Sequence, residues 1–245
     1  MRVGLFYTCL IDTMRPEIGF SVLKLLESAG CDVVVPEGQT CCSQPAYNSG
    51  DREAALELAV KFLSEFEGFD YVVIPSGSCG GMVRTHYADL FAGDAMLMAR
   101  YGLIKPRIFE LTEFLHGVLK QGADSIIGQS GFTGRVTYHD SCCGLRELGV
   151  ETQPRELLSH VPRLQLREMK DCRACCGFGG TFSVKYGAVS TAIVDEKCAN
   201  IRACGADAVV LGDLGCMLNI EGRLRREGDM HTRVLHVAQV LAGDV

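Results

Sequence analysis

The stretch Cys172-Arg173-Ala174-Cys175-Cys176-Gly177-Phe178-Gly179-Gly180 carries the most reactive set of side chains in the sequence. Two adjacent cysteines make a poor disulfide, because neighbouring Cα atoms lie only about 3.8 Å apart, short of the usual bridge span. Two neighbouring thiolates can instead hold two corners of one soft metal centre, and glycines let the backbone crowd against it.

The arrangement occurs twice. Cys9, Cys41-Cys42 and Cys79 in the first half are matched by Cys142, Cys175-Cys176 and Cys216 in the second, each cysteine recurring 133 to 137 positions later. The flanks recur too: Arg2-Val3 before Cys9 and Arg135-Val136 before Cys142, Val72-Val73 before Cys79 and Val209-Val210 before Cys216. Such a register marks a duplicated module in which each copy presents a Cys, Cys-Cys, Cys set. Four thiolates from the loops of one module suit zinc or an iron–sulfur cluster. The expected ligands are therefore Cys9, Cys41, Cys42 and Cys79 for one centre and Cys142, Cys175, Cys176 and Cys216 for the other.

The elements that must position these thiols alternate between strand and helix. Residues 3–7 read as a strand, Pro16 to Ala29 as a helix closed by Gly30, and Val33 to Val35 as a short strand. Cys41-Cys42 falls in the loop beyond it. A long amphipathic helix is expected from Arg52 to Phe66, then a strand at Tyr71–Ile74 and a turn carrying Cys79 toward another helix. Gly128 to Gly134 is the best linker. After it the pattern restarts, with a strand at Val136–Tyr138, a helix near Pro154–Ser159, a long helix from Val184 to Cys204 and a strand at Ala208–Leu211. The fold class is α/β: two homologous βαβ-type modules, residues 1–128 and 129–245, with mainly parallel sheets related by internal duplication about a pseudo-two-fold. Cysteines just past strand ends lie where open α/β sheets place ligands.

Composition sets bounds. The 245 residues are 47% apolar and 22% charged, ordinary for a folded chain. A net charge of −6 without a concentrated basic run argues against nucleic acid as a partner. No stretch approaches the ~20 apolar residues of a membrane span. Thirteen cysteines and no secretory signal imply a reducing, cytoplasmic setting in which thiols serve metal or redox chemistry. Hydride, phosphate and acyl-transfer signatures are lacking: Gly177-Phe178-Gly179-Gly180 begins like a dinucleotide fingerprint but has Phe182 where the third glycine belongs.

The other cysteines read differently. Cys31, Cys198 and Cys204 have no counterpart in the repeat and read as packing thiols. Cys143 aligns with Leu10, so Cys142 is the better ligand. Cys172 forms Cys-x-x-Cys with Cys175 and is an extra ligand candidate, although Gly38 stands in its place in the first half. His139, three residues before Cys142, reads either as a donor to a cluster sulfur or as a strand-end histidine.

At Cys175-Cys176-Gly177-Phe178-Gly179-Gly180-Thr181-Phe182-Ser183-Val184-Lys185 and Gly215-Cys216-Met217-Leu218-Asn219-Ile220 the sequence resembles the cysteine-rich "CCG" family of iron–sulfur proteins, and within it the lactate-utilisation branch. The resemblance covers nearly the whole chain. It implies an electron-transfer subunit of an L-lactate-oxidising complex, with no catalytic residues of its own and with one or two [4Fe-4S] clusters. It would work beside a ferredoxin-like iron–sulfur protein and a further subunit, with peripheral membrane association only through partners. Heterodisulfide reductase members of the family carry a fifth cysteine three positions after the last; here those positions are Met82 and Asn219. The alternatives are a thiol/disulfide redox catalyst of that type, with Cys172 or Cys143 replacing the missing ligand, and a structural protein holding zinc in one or both modules.

Overall fold

The computed structural model describes residues 1–120, 122 and 126–245. Two four-stranded sheets, parallel throughout, have the same strand order. In the first, β2 (Asp32–Val34), β1 (Arg2–Leu5), β3 (Tyr71–Ile74) and β4 (Ile108–Glu110) lie side by side; in the second the order is β6 (Arg163–Leu166), β5 (Thr133–Tyr138), β7 (Ala208–Leu211) and β8 (Arg233–His236). The duplication seen in the cysteines is thus a duplication of topology. Parallel neighbours need crossovers, and helices supply them: Pro16–Ser28 joins β1 to β2, and Arg52–Phe66 lies between β2 and β3. The latter starts at Asp51, whose carboxyl accepts from Ala54 N.

Three differences from the sequence reading have physical reasons. The expected linker is cut short because β5 begins at Thr133, and Gly134 pairs with Leu164 in register. The expected helix from Val184 to Cys204 is two helices, Thr181–Lys185 and Gly187–Ala203, broken at Tyr186, where φ is −126° and ψ 51°. Cys9 opens a short helix, Cys9–Met14, rather than merely ending a strand.

The core crosses the midline. Val3, Leu5 and Val73 of the first sheet share one buried cluster with Val136, Val210 and Leu235 of the second. Helix Val237–Ala242 seals the seam against Pro16–Ser28: Lys24 Nζ donates to Ala242 O at 2.8 Å and Ser21 Oγ to Asp244 Oδ2 at 3.0 Å. Ile11 and Ile18, from the first half, pack in the cluster behind Cys176 and Cys216. Among the described residues no helix is long and apolar enough to cross a membrane.

The ends of β4 and β8 carry equivalent buried caps. Glu110 closes the first turn of the helix after β4, accepting from Thr112 N at 2.7 Å, and His236 Nδ1 accepts from Ala238 N at 3.2 Å after β8. Burial pushes Glu110 up from 4.5 to about 7 and His236 down from 6.5 to about 4. The signs are opposite. Glu110 contributes stability that is full below pH 4.5 and is lost as pH rises through 7. The contribution of His236 is full above 6.5 and is lost as pH falls through 4. Each is worth on the order of 3 kcal/mol between its limits. The stability gap between Glu110→Gln and wild type, measured by urea unfolding at several pH values, should therefore shift in the variant's favour from pH 4.5 to 7. That of His236→Asn should shift in its favour from 6.5 down to 4. A gap independent of pH in either variant would refute the assignment.

Candidate metal centres

Each quartet is assembled past the ends of three corresponding strands of its module. In the second, Cys142 follows β5, Cys175 and Cys176 lie on the loop between β6 and Thr181–Lys185, and Cys216 sits in the first turn of Leu214–Arg226, just past β7. In the first, Cys9 follows β1, Cys41 and Cys42 lie beyond β2, and Cys79 sits on Gly77–Gly81, just past β3. All eight expected thiols gather into two groups. Cys176 Sγ lies 3.0 Å from Cys216 Sγ, and Cys175 is hydrogen-bonded to both Cys142 and Cys176. Cys41 is likewise hydrogen-bonded to Cys42 and Cys9, and Cys42 to Cys79.

The thiols in a group do not share charge evenly. Hydrogen bonds from Cys42 and Cys9, with the Ser43 N–H, hold Cys41 at about 3. Those from Cys142 and Cys176, with the Gly177 N–H at 3.3 Å, hold Cys175 at about 2. Cys9 and Cys42 are pushed up chiefly by their bonds to Cys41, Cys142 by bonds to Cys143 and then Cys175, and Cys176 by bonds to Cys175 and Cys216, with burial adding in all four. In each group the first cysteine of the vicinal pair is thus the ready thiolate, the form that binds metal.

Backbone geometry keeps the second pair in place. Gly177 has φ +85°, and a Cβ there would meet Ser190 O at 2.6 Å; the Ser190 hydroxyl in turn donates to Gly177 O at 2.8 Å. Asn219, at one fifth-cysteine position, donates from Nδ2 to Cys176 O at 2.8 Å. Met82, at the other, is fully buried in the first module's core. Asp213 caps the helix of Cys216, and its Oδ2 accepts from Ser78 N at 2.8 Å and Ser76 Oγ at 3.1 Å across the midline. Lys197, a buried cation, donates to Asp171 O at 2.5 Å and Cys172 O at 3.2 Å and so supports the loop leading into the pair.

Both groups face open space. A cavity of about 330 Å³ is lined by Cys9, Cys41, Cys42 and Cys79 and closed by Phe178 and Leu214 of the second module. One of about 120 Å³ is lined by Cys142, Cys175, Cys176 and Cys216 and closed by Gln44 and Asn48 of the first. A water's share of liquid volume is about 30 Å³, so either has room for a group of several atoms. Each module therefore walls the other's centre, which the linear spacing did not reveal.

The other candidates separate cleanly. Cys143 lines the second cavity beside Cys142, whereas Cys172 lies outside that lining and is hydrogen-bonded to Asp140. Cys31 and Cys198 are buried among apolar side chains. His139 is fully buried, and His139, Cys176 and Cys216 offer ligand atoms within 4.8 Å of one another. His116 pairs with Glu156 at 2.5 Å, on the surface. Asp213 and Lys197 were not singled out in the sequence, and Asn219 was noted only as standing at a fifth-cysteine position; Asp213, directly ahead of a helical run, left a usual N-cap signal.

Residues 3–84 and 136–221 match the family described as "Cysteine-rich domain" (CCG). The chain is 43% identical to lactate utilization protein A 2 of Bacillus cereus (strain AH820) over 99% of its own length and 98% of that protein's. It is 46% identical to lactate utilization protein A of Geobacillus kaustophilus over 98% of each. Among solved structures, an aspartate racemase homologue from Pyrococcus horikoshii aligns over 99% of this chain and 96% of its own, at a TM-score of 0.33 and 10% identity. That likeness is too low to carry any argument.

Proposed function

Since the chain belongs to the cysteine-rich (CCG) domain family, we propose that it is the iron–sulfur electron-transfer subunit of a system that oxidises L-lactate. The lactate assignment rests on the relatives' names. The electron-transfer assignment rests on one observation: two quartets of mutually hydrogen-bonded thiols, each against a cavity of several atoms' volume. Cys9, Cys41, Cys42 and Cys79 would hold one centre, and Cys142, Cys175, Cys176 and Cys216 the other. A four-iron cluster, when bound, supplies reversible one-electron storage. The chain's own residues do the rest. Cys41 and Cys175 present thiolates at neutral pH, glycine-rich turns bring backbone N–H groups to sulfur, and Phe178 and Leu214 restrict water at the first centre. On this reading the chain divides into modules 1–128 and 129–245, a division supported by the one sheet in each, and the partners would be a ferredoxin-like iron–sulfur protein and a further subunit.

A disulfide-cleaving role needs a fifth thiol at each centre. Cys143 supplies a sulfur in the second cavity, but Leu10 lines the first at the equivalent place. Electron transfer is therefore the better reading. Anaerobic reconstitution with iron and sulfide should give about eight irons per chain and a charge-transfer band near ~400 nm. Zinc in both quartets of protein isolated without air, or no such band, would overturn it.

A further inference from the structure

The pseudo-symmetry that equates the two quartets also equates what lies beneath them. Phe6 precedes Cys9 by three residues, as His139 precedes Cys142. In the helix Arg52–Phe66 the fully buried positions are 55, 59, 62, 63 and 66; in Gly187–Ala203 they are 190, 194, 197, 198 and 201, a constant offset of 135. Phe62 thus corresponds to Lys197. In the first module these two positions form an aromatic pair, Phe6 and Phe62, edge to face with centroids 5.2 Å apart in the core that contains Cys42. In the second they are a histidine and a lysine.

Neither histidine nor lysine belongs in a dry interior without a task. His139 is fully buried, and neither ring nitrogen has a hydrogen-bond partner among the described residues. The Cys176 and Cys216 sulfurs lie close by, in a group with it that spans no more than 4.8 Å. A neutral imidazole carries one N–H, and a thiolate is an acceptor for it. Lys197 is 1% exposed, its ammonium anchored on the Asp171 and Cys172 carbonyls, just ahead of the pair in the chain.

We propose that the two centres are unequal by construction: His139 and Lys197 make the second the easier to reduce, and Phe6 and Phe62 keep the first the harder. The inference rests on the iron–sulfur reading above. Each centre gains one electron and no proton on reduction, so the added charge is purely negative. A hydrogen-bond donor to ligand sulfur and a buried cation stabilise it, whereas aromatic walls do not. His139 and Lys197 are positioning residues in this role, since the sulfur ligands are the cysteines.

Mediated potentiometric titration of the reconstituted full chain, followed by electron paramagnetic resonance, tests it. Two midpoints are expected, separated by at least tenfold in the reduction equilibrium, 59 mV for one electron. Cys42→Ala, which removes a ligand of the first centre, should leave the higher midpoint in place. His139→Leu should lower that midpoint by a comparable factor, Lys197→Met should lower it too, and His139→Gln, which keeps an N–H, should restore most of it. The lower midpoint should not move. Coincident wild-type midpoints, or a higher wave indifferent to both His139→Leu and Lys197→Met, would overturn the proposal. If His139→Leu does not fold, Lys197→Met and the wild-type separation decide. Iron and sulfide content reports separately on the iron–sulfur reading, so a chain that loads both centres but shows equal potentials refutes only this inference.

Discussion

Cys176→Ala should halve the iron and acid-labile sulfide of the reconstituted chain, a loss of about four atoms of each from a complement of about eight of each. Cys176 is 2% exposed and sits at the centre of its quartet, hydrogen-bonded to Cys175 and 3.0 Å from Cys216. Three remaining thiolates leave one corner of a four-iron centre without a protein ligand. The first quartet has its own four sulfurs and its own cavity, so its share should survive. Cys42→Ala should produce the mirror result. Cys198→Ala is the control for mere loss of a buried thiol: Cys198 packs between apolar side chains, away from the lining of either cavity, and its replacement should leave the metal content intact. Metal analysis reads all three. Full iron in Cys176→Ala, or an equal loss in Cys198→Ala, would remove the quartets from consideration as ligand sets.

The gathering of the thiols into two groups was legible because a four-cysteine spacing that recurs together with its flanks leaves little room for accident. The central strands were legible for a related reason: β3 and β7 are buried continuous apolar runs, Tyr71-Val72-Val73-Ile74 and Ala208-Val209-Val210-Leu211, of the kind parallel sheets require. The edges were not. β4 has three residues, and β6 alternates exposed Arg163 and Gln165 with half-buried Leu164 and Leu166, so neither stands out from loop. Their state is set by pairing with β3 and β5, which is non-local. Buried polar residues were hidden for another reason. A lysine in the middle of Gly187–Ala203 reads as a solvated face, and the carbonyls of Asp171 and Cys172, 26 and 25 positions away, make its burial tolerable. The closure of each cavity by the opposite module was equally beyond reach, because it depends on how the two sheets meet.

That meeting depends heavily on one side chain, and Asp213→Ala should cost on the order of 3 kcal/mol of stability. Asp213 is 3% exposed. One oxygen accepts from Cys216 N at 3.3 Å and caps the helix that carries this ligand; losing a cap typically costs about 1 kcal/mol. The other oxygen accepts from Ser78 N and Ser76 Oγ, at the start of the helix that carries Cys79. Truncation leaves the half-buried Ser78 N–H without its acceptor, at about 1 to 3 kcal/mol. Ser76 Oγ in turn accepts from Cys79 N at 3.4 Å, so the disturbance reaches the ligand turn of the first module as well. Asp213→Ala should therefore lower the urea midpoint sharply and reduce iron uptake at both centres, unlike Cys176→Ala, which acts on one. Asp213→Asn keeps an oxygen for one of the two helix starts but turns an N–H₂ toward the donors of the other, and should fall between alanine and wild type. A midpoint within experimental error of wild type for the alanine variant, or iron lost from the second centre alone, would show that the two ligand turns are not tied through this carboxyl group. If they are tied, the duplicated halves are joined at the point where each positions its last cysteine, and neither centre can be built correctly without the other half in place.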